Sequence, residues 1–464
     1  MTRITAFTEG EWAPLPVLLA GAFMVVLDFF VVNVALPSIG TELGASRGSL
    51  EWIVAGYGLS FAVLLIVSAR LGEQLGQRRV YAAGLALFTA ASAACGLAPS
   101  PGTLVAARVL QGAAGAVVMP QVLGIVGATY RDGARVRALS LYGVALGLAA
   151  VGGQVVGGGL LTLDVAGLGW RLCFLINVPI GLAAWALTPR LVPADGRGRA
   201  AGLDLAGTLL LGSALVAVLL PLINGRQSGW PAWTWASLAA APLLAAGFVA
   251  HQRRVTRRGG EALLDLRLFG DRAVSAGLLT QLALASAQAS FFVYLAVYLQ
   301  DGRGMSPFAS GVTFAAVAAT YVAVSGRATA LAERRGRAVI RAGGLALAAG
   351  FLLLAAAVEV LGSGGSVALL VPGLAVAGAG IGLGYTPLTA IVLSGVAPAR
   401  AGAAAGAMST TQQVGYAVGV AVTGTIFFAR PDLSSAFAWS LLQLAVCGAA
   451  VAYLARLLPA ARAS

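Results

Sequence analysis

One carboxylic acid and one arginine lie well inside long apolar stretches of this sequence. Asp28 is about thirteen residues into its stretch, or roughly 20 Å along a helix. Arg108 is about five residues from the predicted outer end of another stretch. A charged side chain at bilayer depth costs about 2.5–3.5 kcal/mol, so each residue should face a cavity or a partner. Since both lie in the outer halves of their stretches, we expect them to come within range of each other.

A membrane acid that alternates between a protonated and an ionised form provides what proton coupling requires. We therefore expect Asp28 to be the proton-coupling acid and Arg108 to tune it. Two simpler interpretations stay open. Asp28 could be a structural acid permanently paired with another helix, and Arg108 could extend its apolar stem toward the outer headgroups.

The elements that position these residues are predicted to be apolar helices. Of the 464 residues, 59% belong to the set AVILMFWYC and 10% are charged, and the mean hydropathy is +0.89. This composition excludes a soluble enzyme, a disordered chain and a disulfide scaffold. Fourteen apolar stretches are long enough to cross roughly 30 Å of hydrocarbon, and they are continuous rather than alternating. The sequence thus predicts an all-α polytopic membrane protein with 14 transmembrane helices.

The arginines indicate how the chain lies in the membrane. All 30 basic residues are arginine, and the formal net charge is +13. With the N-terminus inside, 24 arginines fall in cytoplasmic segments and five on the outer side, as the positive-inside rule requires. We therefore expect a multi-pass protein of the cell inner (plasma) membrane with both termini cytoplasmic and no cleavable signal peptide. This placement also accounts for the basic charge without a nucleic-acid partner.

An internal repeat indicates how the spans are grouped. Leu71-x-Glu73-x-x-Gly76, after the second predicted span, recurs 260 residues later as Leu331-x-Glu333-x-x-Gly336. The repeat predicts two six-helix halves, residues 1–190 and 273–464, separated by a two-helix insert with cytoplasmic linkers, residues 191–272. Parallel halves of this kind build one large class of transporters, in which the substrate site lies near the midplane between the halves.

Five motifs make the sequence resemble the major facilitator superfamily, in particular its fourteen-helix drug:proton antiporter branch. They lie in register with the predicted spans, at residues 27–37, 69–79, 108–112, 153–158 and 170–181, and the resemblance covers almost the whole chain. The loop motif departs from the family pattern at Ala69, Glu73, Gln74 and Gln77. The antiporter motif departs from it at Gln154, where the family has proline.

The resemblance implies the major facilitator fold, a monomer, and a part in proton transfer for Arg108. It also implies a conformational latch of interhelical charge pairs at the cytoplasmic face, from Glu73, Arg78, Arg79, Glu333 and Arg337. The alternative is that these residues are positive-inside clusters with incidental acids. The small residues Gly153, Gly157 and Gly158 are predicted to let helices approach closely, as a packing motif.

Polar and aromatic side chains within the predicted spans are the candidates for substrate binding. They are Asn33, Tyr57, Gln111, Gln154, Gln281, Gln288, Gln412 and Gln413. Each of them could instead form interhelical hydrogen bonds. A mostly apolar cavity lined by amides suits a bulky amphipathic ligand better than a sugar.

Several chemistries are excluded or unsupported by the sequence. The three cysteines lie in apolar stretches, so neither a disulfide framework nor a metal site is indicated. The chain has no G-x-x-x-x-G-K-[ST] loop and no lysine to complete one, which excludes ATP-driven export by this chain. The single histidine, His251, lies at a span end, so a buried histidine relay is excluded. We expect no enzyme activity, no cofactor and no metal.

Taken together, these features favour a proton-coupled antiporter that exports amphipathic drugs or antibiotics by alternating access. Its partners would be a small-molecule substrate, protons and the lipid bilayer. A proton-linked transporter of an endogenous metabolite on the same fold stays open, because the antiporter motif lacks its proline. A non-transporting receptor or scaffold is disfavoured, since the longest cytoplasmic segment lies near residues 251–272 and is only about 22 residues long.

Overall fold

The computed structural model describes residues 12–194, 204–225, 228–260, 262–264, 266–361, 365–394, 396 and 398–458. These residues form a bundle of helices. The helices before the insert are α1 (Pro14–Leu43), α2 (Arg47–Leu75), α3 (Gln77–Gly96), α4 (Pro101–Thr129), α5 (Asp132–Leu163), α6 (Leu172–Leu175) and α7 (Asn177–Leu191). The insert contains α8 (Leu205–Asn224) and α9 (Ala232–Arg257).

The remaining helices form the second part of the bundle. They are α10 (Arg272–Val297), α11 (Pro307–Thr313), α12 (Ala315–Arg335), α13 (Arg337–Leu361), α14 (Val371–Ser394), α15 (Pro398–Phe427) and α16 (Leu433–Leu454). A single π turn, Tyr298–Gly302, extends α10. The end of the bundle at which α1 is connected to α2 is called the α1–α2 face. The opposite end, at which α2 is connected to α3, is called the α2–α3 face.

Local sequence signals start and stop the helices that carry the charged pair. At the start of α4, the side chain of Ser100 and that of Thr103 cap each other's backbone N–H groups, and Pro101 occupies the first turn. Because α4 begins there, Arg108 lies about two turns inside the bundle. Helix α1 ends at Leu43, and the capping residue Gly44 has a φ of 61°, a left-handed conformation that glycine adopts without strain.

Packing separates a first set of helices, α1–α7, from a second set, α10–α16. Within the first set, α4 packs on α2 and α3, and α1 packs on α5 and α7. Within the second set, α13 packs on α14 and α16, and α10 packs on α15. The two sets meet where α1 contacts α10, α2 contacts α15 and α5 contacts α11.

The insert packs beside both sets. Helix α8 contacts α9, and it also contacts α2 and α15, one helix from each set. The Asp204 carboxylate caps α8 through the backbone N–H of Gly207, at 2.8 Å, and accepts a hydrogen bond from Gln252 of α9, at 2.6 Å. The Gln252 side-chain oxygen in turn accepts from the backbone N–H of Leu264, at 3.1 Å. These bonds join the insert to the linker that precedes α10.

Twelve described helical segments are long and apolar enough to cross a membrane, or thirteen if the bent pair Leu141–Ala150 and Gly152–Leu163 of α5 is one span. The predicted count of fourteen is not confirmed. Helix α15 has 30 residues, but the polar run from Ser409 to Gln413 lowers its mean hydropathy. The all-helical, membrane-spanning architecture itself is as predicted.

Candidate functional site

A buried ion pair joins α1 to α4. The Arg108 guanidinium donates through Nη1 to Asp28 Oδ2, and both side chains are completely buried. The other carboxylate oxygen, Oδ1, accepts hydrogen bonds from Gln111 Nε2 and Asn177 Nδ2, each at 2.8 Å. Asp28 therefore has three donors on two helices, which is how a charged carboxylate is accommodated away from water.

Further contacts, with α2 and within α4, hold the Arg108 side chain. Its Nε donates to the backbone carbonyl of Ile53 at 3.0 Å, and Nη1 also donates to Gln111 Oε1 at 2.8 Å. The guanidinium carbon lies 4.3 Å from the centre of the Tyr57 ring, a cation–π geometry. Arg108 thus binds inside the bundle, which does not favour the alternative in which it reaches the headgroups.

A serine and an asparagine complete the site. Ser92 Oγ, on α3, accepts from both Gln111 Nε2 and Asn177 Nδ2 at 3.0 Å, and donates to the Phe174 carbonyl at 2.8 Å. We call Asp28, Ser92, Arg108, Gln111 and Asn177 the Asp28 cluster. Its members come from α1, α3, α4 and α7, so the cluster lies within the first set of helices.

Sequence reasoning missed two members of this cluster. Asn177 belongs to the 170–181 motif, and its place in that motif was the sequence feature that could have indicated its role. Ser92 gave no signal, because a serine in an apolar helix usually bonds to its own backbone. Gln111, which was predicted to bind substrate, forms hydrogen bonds with Asp28 and Arg108 in the structure.

Asn177 has a testable structural role in the cluster. Replacing it with leucine, of similar size, removes one hydrogen bond to Asp28 and one to Ser92. We expect the free energy of unfolding to fall by about 1–3 kcal/mol, because a buried acceptor loses its donor. Thermal unfolding of the detergent-purified protein measures the change. An unchanged melting temperature would contradict the geometry described here.

Aromatic side chains join the two sets of helices next to the cluster. Phe29 of α1 stacks on Tyr416 of α15 with ring centres 4.8 Å apart, and Phe30 packs edge-on against Phe292 of α10 at 5.6 Å. The Tyr416 hydroxyl accepts from Gln412 at 3.0 Å and lies 3.3 Å from Gln288 Oε1, to which it donates. Two predicted substrate residues therefore meet at Tyr416, which sequence reasoning did not single out.

The other predicted substrate residues do not form one cluster. Tyr57 lies against Arg108 and donates to the Val25 carbonyl at 3.0 Å. Several buried amide atoms have no hydrogen-bond partner among the described residues: Asn33 Oδ1, both polar side-chain atoms of Gln154, Gln281 Oε1 and Gln413 Oε1. Buried amides are normally paired, so these groups are available to water or to a ligand.

The glycines of the packing motif bring α5 against two helices. A Cβ at Gly153 or Gly157 would lie 3.2 Å or closer to backbone atoms of α1, at Leu27 and Val31. A Cβ at Gly158 would lie 2.5 Å from the Pro307 carbonyl oxygen at the start of α11. Close approach of α5 to both sets of helices therefore depends on these small residues.

The described side chains of the predicted latch are either exposed or bonded to backbone carbonyls in this conformation. Glu73 and Arg79 are exposed, and Arg78 donates to the Val192 carbonyl at 3.3 Å. Arg337 donates to the carbonyls of Arg456 and Leu458, at 2.6 and 3.0 Å. The side chain of Glu333 lies outside the described residues.

Two packed sets of apolar helices, a buried ion pair and an aromatic contact between the sets define a membrane transporter. The sequence profile of the Major Facilitator Superfamily matches residues 18–194 and 183–420. The chain therefore belongs to the Major Facilitator Superfamily.

Two curated relatives and one solved structure agree with this assignment. The chain is 37% identical to a probable actinorhodin transporter of Streptomyces coelicolor, over 90% of this chain and 72% of the relative. It is 34% identical to a cephamycin export protein of Amycolatopsis lactamdurans, over 99% of this chain and 95% of the relative. A bacterial homologue of the human lysosomal transporter Spinster, in an inward-facing conformation, shares the fold with a TM-score of 0.68 and 17% identity, over 97% of this chain and 98% of that chain.

Proposed function

We propose that this chain is a proton-coupled antiporter that exports amphipathic drugs or antibiotics across the cytoplasmic membrane by alternating access. The observation that carries the proposal is the buried Asp28–Arg108 pair, next to an aromatic contact between the two sets of helices. The names of the two curated relatives, a transporter of actinorhodin and an exporter of cephamycin, support small-molecule export.

The Asp28 cluster suggests how a proton acts on the fold. When Asp28 Oδ2 takes up a proton, its charge attraction to Arg108 is lost. Arg108 keeps its bonds to the Ile53 carbonyl and Gln111 Oε1, so it stays in place while α1 is released from it. Because Phe29 and Phe30 follow Asp28 on α1, a shift of α1 changes their contacts with Tyr416 and Phe292 on the other set of helices.

The substrate site would lie at this aromatic contact, between the two sets of helices. Phe29 and Tyr416 offer flat apolar surfaces, while Gln288 and Gln412 offer amide groups. A mostly apolar surface with a few directed polar groups suits a bulky amphipathic molecule. Asn33, Gln154 and Gln281 are further candidates, because their buried amide atoms have no partner among the described residues.

The finer architecture belongs to the same proposal. We assign fourteen spans by adding the bent α5 and the polar α15 to the twelve apolar segments. The halves are residues 1–190 and 273–464, the insert with its linkers is residues 191–272, and the chain functions as a monomer. Both termini are cytoplasmic, which makes the α1–α2 face extracellular. The latch of Glu73, Arg78, Arg79, Glu333 and Arg337 would then form in the outward-open state.

The energetics of a single coupling acid are sufficient. One proton that moves down 100 mV supplies about 2.3 kcal/mol, and this supports roughly a fortyfold gradient of an uncharged substrate. A pH difference adds to that value. If Asp28 is the only coupling acid, one proton is exchanged per cycle. The export of a monovalent cation is then electroneutral, and the pH difference alone drives it.

Proton exchange in everted vesicles tests the proposal. Vesicles are acidified by respiration and a pH-gradient dye is followed while cationic, neutral and acidic antibiotics are added. We expect recovery of dye fluorescence with the wild type, and its loss with Asp28→Asn. The matched control is Glu359→Gln, at an exposed acid of α13, which should retain the recovery.

The other outcomes have definite meanings. Recovery that survives Asp28→Asn would keep antiport but refute the assignment of Asp28. No recovery with any compound would contradict drug export and favour a transporter of an endogenous metabolite.

A further inference from the structure

Helix α9 of the insert is the span with the smallest buried share among the described spans. It packs mainly on α8, and most of its surface faces away from the bundle. In a membrane this surface is in contact with lipid.

The two ends of α9 mark the depth at which it lies. Trp233 and Trp235, near its start, are 42% and 60% exposed, as expected of residues at a membrane interface. Arg253 lies 18 residues after Trp235, about 27 Å along the helix, which matches a hydrocarbon core of about 30 Å. The tryptophans at one interface thus place Arg253 at the headgroups of the opposite leaflet.

Four exposed arginines form a cluster at that second interface. They are Arg253, Arg254, Arg257 and Arg258, which we call the α9 arginines. Residues 253 and 257, and likewise 254 and 258, are one helical turn apart, so the side chains are neighbours. Their side chains form no hydrogen bond or ion pair with the residues that the structure describes. Four like charges with no ion-pair partner among the described residues favour binding of an anion.

An open face of small apolar side chains leads from the α9 arginines toward the middle of the bilayer. It is formed on α9 itself by Ala245, Ala246, Val249 and Ala250, and we call it the α9 alanine face. The small side chains leave room along the helix, and Ala246 and Ala250 are exposed. A phosphate at the arginines would therefore be continuous with a path for an acyl chain.

We propose that the α9 arginines and the adjoining α9 alanine face form a binding site for an anionic phospholipid. The arginines bind its phosphate, and Ala246, Val249 and Ala250 contact one acyl chain. A basic cluster at headgroup depth attracts anionic lipids in general. The α9 alanine face adds an apolar contact that a soluble anion cannot make.

Lipid retention by the purified full-length protein tests this proposal. Phosphatidylglycerol or phosphatidylcholine is titrated into detergent-solubilised protein, and bound lipid is counted by native mass spectrometry. We expect preferential binding of phosphatidylglycerol, weakened at least about tenfold when all four α9 arginines are changed to glutamine. The matched control removes the same charge at four exposed arginines elsewhere, with Arg131→Gln, Arg135→Gln, Arg190→Gln and Arg272→Gln, and should bind as the wild type does.

A second variant separates a lipid site from a site for a free anion. Ala246→Trp covers the α9 alanine face with a bulky ring while all four arginines remain, and we expect it to weaken phosphatidylglycerol binding without changing the melting temperature. Equal loss in the control variant, unchanged binding in the glutamine variant, or no effect of Ala246→Trp would each overturn the proposal. Complete displacement of the lipid by millimolar inorganic phosphate would also overturn it, because the ligand would then be a soluble anion.

Discussion

Replacing Arg108 with glutamine is expected to destabilise the protein by about 3–5 kcal/mol, because the substitution leaves the buried Asp28 carboxylate without its counter-charge. Gln111 and Asn177 would still donate to Oδ1, but Oδ2 would have lost its arginine. Thermal unfolding of purified protein measures the effect. The Asp28→Asn/Arg108→Gln double variant should recover most of the lost stability, since it contains no unpaired charge.

The double variant makes this prediction specific to the ion pair. If Arg108 stabilised the fold only through the Ile53 carbonyl and the Tyr57 ring, removal of the Asp28 charge would restore nothing. Additive losses in the two single variants would therefore refute the claim that the pair is one energetic unit. Transport should be lost in both single variants and in the double variant, because none of them retains the ion pair that a proton can break.

The ion pair could be predicted from the sequence because charge is rare and costly inside apolar helices. Asp28 and Arg108 are charged, whereas the residues around them in the sequence are uncharged. Their depth in the apolar stretches alone therefore predicted that each needs a partner. Asn177 and Ser92 are neutral and short, and such residues occur in apolar helices for several reasons. Their role depends on how α3 and α7 are rotated about their axes, which a single sequence does not determine.

The same limit applies to the predicted substrate residues. Gln111 is one helical turn from Arg108 and therefore points into the cluster, whereas Gln288 and Gln412 meet at Tyr416 on the other set of helices. All three have the same side chain in a similar apolar context. Tyr416 was missed because tyrosine is common at many depths in membrane helices. Only the packing of α15 on α10 and α2 distinguishes this tyrosine.

The span count differs from the prediction at polar or bent helices. The two bent segments of α5 are long and apolar enough to cross a membrane only when they are taken together as one broken span. Helix α15 contains a run of serine, threonine and glutamine residues, which lies within a predicted span. Polar side chains lower the apparent hydropathy of a helix when they face a cavity or another helix rather than lipid. A count based on hydropathy is therefore least secure for the helices at the contact between the two sets, and α15 lies at that contact.

Gly158→Ala is expected to reduce transport at least tenfold by preventing α5 from closing against α11. The new Cβ would lie 2.5 Å from the Pro307 carbonyl oxygen. Because the atoms it would contact belong to the backbone of α11, no flexible side chain can move aside to relieve the clash. Gly311→Ala should act in the same way from the other set of helices, because its Cβ would lie 2.6 Å from the Gln154 carbonyl oxygen. Drug-dependent proton exchange in vesicles measures the loss.

The next residue supplies the matched control. A Cβ at Gly159 meets nothing within 4 Å, so Gly159→Ala makes the same chemical change in the same helix without the clash. Both variants gain the usual helix preference of alanine over glycine, so a difference between them reports on the contact with α11. A cysteine placed at Val34, whose carbonyl accepts from Gln300 of the other set at 2.9 Å, should react faster with an impermeant maleimide in Gly158→Ala alone. Equal transport and equal labelling in the two variants would show that closure of the α1–α2 face does not depend on this contact.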